Sequence, residues 1–189
     1  MNVLAITGRR IDADDAEQAR FPSEHAPAVQ QAITSAMRDM RIEAVVSSAA
    51  CGADLLALSA ASELSIPFWI VLPFDRARFR ETSVVDRGGD WGPIFDQHMD
   101  DAERRDTVHL IDPVDDELEA FRLVLGAILD LATTLAHSGE GELPTMRTGQ
   151  VTAMAVWDGA SRGADDFTAA FIEEARQRGI LTRQLTTLR

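Results

Sequence analysis

Lysine is absent from all 189 residues. Its absence excludes chemistry that needs an ε-amino group: a phosphate-loop nucleotidase with its essential lysine, a pyridoxal-phosphate Schiff base and a lysine general base. The cationic side chains are all arginine, which suits planar, bidentate recognition of phosphate or carboxylate; a genome rich in arginine codons gives the same bias. Cysteine occurs once, as Cys51. One thiol excludes an internal disulfide and a cysteine-paired zinc site, and fits a reducing compartment. No apolar run reaches the roughly 18 residues of a membrane helix. The opening Met-Asn-Val-Leu-Ala-Ile-Thr lacks a signal peptide's basic start and long apolar middle. The expectation is a soluble, cytoplasmic protein with no membrane partner. Positive charge is scarce overall: the formal net charge is −13, against a general grip on nucleic acid, which needs many cations placed on phosphates.

What is present is an alternation of apolar strands and amphipathic helices. Hydrophobic residues make up 46% of the chain, enough at this length for one domain, 1–189, with a core of ordinary size. Patterning predicts strands over Asn2 to Thr7, Glu43 to Ser47, Ile66 to Leu72, Thr107 to Ile111, Val151 to Trp157 and Leu181 to Leu185. Between them it predicts a helix from Ser23, as N-cap, to Met40, another from Gly52 to Leu64, and a short one capped by Asp75. Further helices are expected over Ile94 to Arg105, Asp115 to His137, and up to about Arg178. Val84 to Pro93 reads as a loop and Ser138 to Gln150 as a flexible polar loop. The fold class is α/β: a Rossmann-like three-layer sandwich, its mainly parallel sheet of about six strands covered by helices on both faces. The helix from Asp115 is apolar on nearly every face, and a homodimer or higher homo-oligomer is one way to cover it.

The stretch Val45 to Leu58 combines a strand end, a small-residue turn and a helix start. Ser47, Ser48, Ala49, Ala50 and Gly52 have no bulk to keep a phosphate from the free amides of that helix; the same residues also allow simple tight packing. Ligands of such sheets bind beyond the carboxyl ends of the strands. There the sequence places Thr7-Gly8-Arg9-Arg10, the Ser47 to Asp54 turn, Pro73 to Ser83 with Arg76, Arg78 and Arg80, and Asp158 to Asp166. Arg76 and Arg80 share a helical face able to meet one phosphate, or remain solvated. Asp54 either answers the helix dipole or accepts from a ribose hydroxyl. Asp165 and Asp166 read as caps. Trp91 and Phe95 either stack on a base or pack inside, and Cys51 reads as a buried thiol. His25, His98, His109 and His137 show no metal spacing and no neighbouring nucleophile.

Ile-Thr-Gly-Arg-Arg near the start, Ser-Ser-Ala-Ala-Cys-Gly-Ala-Asp-Leu-Leu-Ala at the second strand and Val-Trp-Asp-Gly-Ala-Ser-Arg-Gly near the end together resemble the SMF/DprA and LOG (SLOG) superfamily. Leu-Pro-Phe-Asp-Arg-Ala-Arg-Phe-Arg-Glu-Thr-Ser looks like its bacterial sensor-type branch. The resemblance implies a Rossmann-like domain that binds nucleotides or their derivatives, such as ADP-ribose, NAD-related or cyclic species. It puts Gly8 and Arg9 beside the ligand and Ser47, Ser48, Gly52 and Asp54 under its phosphate or ribose. It puts Gly159, Ser161 and Gly163 at a second phosphate-facing turn; Asp158, Arg76 and Arg80 are further candidate ligand-binding residues. It also implies an effector protein or a fused effector domain as partner. The LOG-type signature Pro-Gly-Gly-x-Gly-Thr-x-x-Glu is not matched: Ala164 and Phe167 stand where the threonine and the catalytic glutamate belong. Ligand sensing is therefore the expectation and hydrolysis of a nucleotide N-glycosidic bond the alternative, with no catalytic or metal-binding residue assigned.

Overall fold

The computed structural model describes residues 1–138, 149–163 and 166–188. Ala164, Asp165 and residues 139–148 of the expected polar loop lie outside them. Six strands, β1 (Val3–Gly8), β2 (Ala44–Ser47), β3 (Phe68–Leu72), β4 (Val108–Leu110), β5 (Val151–Trp157) and β6 (Leu181–Thr186), form one sheet in the order β4-β3-β2-β1-β5-β6. Every neighbouring pair is parallel. Among the described residues six α-helices connect them: α1 (Ala26–Asp39), α2 (Ala53–Glu63), α3 (Arg76–Ser83), α4 (Trp91–Arg104), α5 (Glu117–His137) and α6 (Phe167–Gln177).

The chain winds outward from β1 to β4, then crosses back to lay β5 on the free side of β1. Because parallel crossovers are right-handed, that reversal moves the helices to the other face. Accordingly α1 to α4 pack on one face over Leu4, Ile6, Val45, Ile70 and Val156. Helices α5 and α6 pack on the other over Val3, Ala5, Val46, Val71 and Ala153. Successive strand residues face opposite layers, and both layers are covered, so β1 from Val3 to Ile6 and β2 from Ala44 to Val46 read as unbroken apolar runs.

The interior strand β5 has the expected bounds, and the others shift by a residue or two. Two helix starts differ. Ser23 begins a single 3-10 turn and caps nothing, while α1 starts at Ala26 with Pro27 in its first turn. Helix α4 begins at Trp91, inside the stretch expected to be loop, with Pro93 in its first turn. Proline is tolerated there because its missing N–H has no intrahelical partner to lose, and its φ is already helical. Asp75, Asp116 and Asp166 cap α3, α5 and α6 through their side chains. Trp91 and Phe95 belong to the core, Phe95 stacking on Phe79 at 6.1 Å between ring centroids. Helix α5 buries Val124, Leu125, Ile128 and Leu129, leaving Leu118 and Leu123 exposed. Among the described residues no helix is long and apolar enough to cross a membrane.

One close approach fixes where the site forms. A Cβ on Gly8 would lie 2.2 Å from the Val156 carbonyl oxygen and 2.6 Å from Ala53 Cβ, so β1 meets β5 and α2 only if residue 8 has no side chain. Gly8→Ala is expected to cost about 1–3 kcal/mol of stability, read as a lower denaturation midpoint; an unchanged midpoint would contradict this packing.

Candidate functional site

Strand order reverses between β1 and β5, and open parallel sheets bind ligands in the crevice beyond such a point. A cavity of about 450 Å³ occupies it. Its polar wall comes from Thr7 to Asp12, Ser48, Ala50, Asp54, Ser83 and Arg87, and its apolar wall from Phe79, Phe121, Val124 and Phe167. Phe121 and Phe167 stand 5.7 Å apart, tilted at 39°.

Arg9 closes the bottom of this crevice. Its Nε donates to Asp158 Oδ1 at 3.0 Å, its Nη1 to Asp166 Oδ1 at 2.9 Å and its Nη2 to the Ala160 carbonyl at 2.6 Å, with the guanidinium carbon 5.5 Å from the centre of the Trp157 ring. Arg9 is 3% exposed. Burial alone would raise the Asp166 carboxyl; the hydrogen bond from Arg9 and the Arg162 and Ala169 amides outweigh it and hold the group below the ordinary carboxylate value. Arg20 Nη1 adds a 2.7 Å contact to Asp158 Oδ2. Arg9 lines the cavity and Asp158 does not; the Arg9 charge is shared between Asp158 and Asp166, and Asp158 also holds Arg20.

The β2–α2 turn is equally occupied. Gly52 has φ +95°, and a Cβ there would come within 2.7 Å of both Arg9 O and Ile11 N. The loop after β1 therefore lies across the start of α2, where the Ala53 amide donates to Arg9 O and the Cys51 amide to Ser83 O. Ser47 is fully buried and donates to the Ile6 carbonyl at 2.9 Å. The Cys51 and Ala53 amides, two of those an anion was expected to use, are taken by protein carbonyls. Gly8, Ser48 and Asp54 do line the cavity. Cys51 is buried, and desolvation raises its thiol pKa despite Arg10 nearby.

Hydrogen-bonding capacity survives elsewhere in the cavity. Among the described residues, three buried side-chain nitrogen or oxygen atoms lack a hydrogen-bond partner: Arg10 Nε, Arg87 Nε and Asp54 Oδ1. All three residues line this cavity. Asp86 lies between the two arginines, pairing with Arg10 Nη2 but standing 3.8 Å from Arg87 Nε, beyond hydrogen-bond reach. Asp54 Oδ2 accepts from the Ala50 amide at 3.3 Å. Burial pushes the Asp54 carboxyl up to about 7, against the Ala50 and Gly8 amides, the Thr7 hydroxyl and the charge of Arg10. Arg162 joins the rim, its pKa lowered by desolvation and then by the charges of Arg9 and Arg20.

Several expected residues lie elsewhere. Arg76 and Arg80 share a face, and both bind Asp96 of α4, with Arg76 also reaching Asp100 and Glu103; neither lines the cavity. The bond from Arg80, with lesser help from Arg76, overcomes desolvation and lowers the Asp96 carboxyl. Gly159, Ser161 and Gly163 form an exposed turn outside the lining, in which the Gly163 amide donates to Ser161 Oγ at 3.1 Å. The α6 start beside it is capped by Asp166, which accepts from the Thr168 and Ala169 amides. Arg10 was visible in the Gly-Arg-Arg turn, yet nothing local separates its role from that of Arg9. Arg87 and Phe121 belonged to none of the motifs. No group of three His, Cys, Asp or Glu residues placed to hold a metal ion occurs among the described residues. Neither a scan of protein-family models nor a search of curated proteins gives a match to this chain.

Two stability measurements follow. Arg9→Ala leaves buried Asp166 without its close cationic partner and Asp158 with Arg20 alone, and is expected to cost about 3–5 kcal/mol at neutral pH. Because the folded pKa of Asp166 is depressed, its contribution is present above about pH 4 and lost as pH falls through the folded value, so the gap to wild type should narrow in acid. For Asp54 the sign is opposite: a raised folded pKa lowers stability as pH climbs from about 4 to 7. Asp54→Asn should therefore gain on wild type across that window, by about 4 kcal/mol at most. Parallel stability–pH curves for the two proteins would contradict the burial of an ionisable group there.

Proposed function

We propose that the protein binds a nucleotide-derived ligand, of the ADP-ribose, NAD-related or cyclic nucleotide class, in the crevice between β1 and β5, and acts as a cytoplasmic sensor of it. One observation carries this reading: the three unpartnered buried polar atoms belong to residues of a single cavity. Buried polar groups are normally satisfied, so two guanidinium N–H groups call for an anionic oxygen and the Asp54 carboxyl for a donor. The phenylalanine wall suits a planar base, and about 450 Å³ is a nucleotide-sized space. The short motifs shared with SMF/DprA and LOG proteins point the same way.

Binding would be reported through assembly. Leu118 and Leu123 are exposed on α5, the helix that also supplies Glu117 and Phe121 to the cavity. That gives ligand occupancy a route to a homo-oligomer contact or to an effector, whether a separate protein or a fused domain. A second reading, hydrolysis of a nucleotide N-glycosidic bond, draws on Asp54, whose value of about 7 suits proton transfer. Phe167 in place of a catalytic glutamate speaks against it.

The panel AMP, ADP-ribose, NAD and cyclic nucleotides separates the two. At least one should raise the melting temperature and be recovered intact by mass spectrometry; release of free base or ribose phosphate would overturn pure sensing. Arg10→Gln and Arg87→Gln should each weaken that stabilisation about tenfold or more, as loss of a charge-assisted hydrogen bond does. Unchanged affinity in both would place the anion elsewhere.

A further inference from the structure

We propose that the loop following β1, from Asp12 to Phe21, is an acidic lid: it swings about a fixed neck, and its carboxylates hold back anions approaching the arginines of the cavity. The inference rests on the anion site proposed above and adds how access to it is controlled; it holds for any anion, nucleotide or not. The neck is closed by three hydrogen bonds. The Asp12 amide donates to the Phe21 carbonyl at 3.0 Å, and Asp12 Oδ2 accepts from the Arg20 and Phe21 amides at 2.9 Å each. Ile11 and Phe21, on either side of it, are buried in the core. A surface loop closed at its base in this way is a compact unit that can move without disturbing the fold behind it.

Beyond the neck the loop is held by little. Residues 13–19 take part in two hydrogen bonds among the described residues, from the Ala16 amide to the Ala13 carbonyl and from Arg20 Nη2 to Gln18 Oε1 at 3.4 Å. Both stay within the loop and its neck. Yet Ala13, Ala16 and Gln18 line the cavity, so this weakly tied span is part of its wall. It also reaches the segment that carries Asp86 and Arg87: a Cβ on Gly88 would meet Asp14 Oδ1 at 3.2 Å. The loop therefore runs from β1 across to the neighbour of Arg87, whose Nε, like that of Arg10, has no partner. Its charge is all of one sign. Asp14, Asp15 and Glu17 are exposed, and none of them forms an ion pair among the described residues. Carboxylates on the loop repel an incoming anion, whereas the arginines of the cavity attract it. Swinging the loop aside removes the barrier and leaves the attraction.

Arginine labelling of the full chain tests both parts without a known ligand. The reagents are phenylglyoxal, which is neutral, and 4-carboxyphenylglyoxal, which is anionic. Peptide mass spectrometry reads the rates at Arg10 and Arg87, with exposed Arg104 of α4 as the reference. Replacing the three carboxylates, Asp14→Asn with Asp15→Asn and Glu17→Gln, should speed the anionic reagent at both cavity arginines about tenfold. The neutral reagent should be unaffected, and the gain should vanish in roughly 1 M salt. Asp14→Cys with Gly88→Cys tests the swing: their disulfide should slow both reagents at Arg10 and Arg87, and reduction should restore the rates. An anionic reagent equally slow with and without the carboxylates overturns the inference. So does labelling as fast with the loop locked as with it free, or failure of the disulfide to form on oxidation. Cavity arginines that neither reagent reaches overturn it too. The nucleotide panel decides the ligand class separately from all of these results.

Discussion

The buried clamp of Arg9 on Asp158 and Asp166 is the constraint on which the rest of the site depends. It joins the end of β1 to the β5–α6 turn across the point where strand order reverses, over sequence separations of 149 and 157 residues. A buried ion pair contributes little net stability over an apolar pair of the same shape, but removing one partner is costly. What it supplies is geometry. With Arg9 held down, its carbonyl receives the Ala53 amide and the chain passes over Gly52, which fixes the next residue, Arg10, at the cavity wall.

This arrangement changes what the small-residue turn does. Strand followed directly by helix suggests an amide cradle, and the Ser47 to Asp54 turn has the right shape. Protein carbonyls already occupy its Cys51 and Ala53 amides, and Asp54 Oδ2 takes the Ala50 amide. Two arginine Nε groups and one carboxyl oxygen are left over, on three segments that meet only in the folded chain.

Much of the architecture was legible in the sequence because it depends on local periodicity. Continuous apolar runs marked strands covered on both faces, and Asp75 and Asp166 announced their caps. The proline-bearing starts of α1 and α4 differ from the sequence reading: Ser23 resembles an N-cap but stands three residues ahead of α1, and Pro93 resembles a loop end but sits in the first turn of α4. Arg76 and Arg80 were correctly put on one face, but the acids answering them lie on α4, and no local pattern shows that α4 runs alongside. The choice between Arg9 and Arg10 was illegible for the same reason, being settled by aspartates about 150 residues away. Arg87 sits in a glycine-rich loop whose approach to Arg10 is wholly tertiary. The fold was thus readable from spacing, and the site only in part, because unmet hydrogen bonds belong to the assembled structure.

Crystals soaked in ADP-ribose test the central claim most directly. Difference density should show an anionic group on Arg10 and Arg87, a polar group of the ligand on the free oxygen of Asp54 and a ring against Phe121 and Phe167. Density at the exposed Gly159 to Gly163 turn, or beside Arg76 and Arg80, with this cavity left empty, would contradict it.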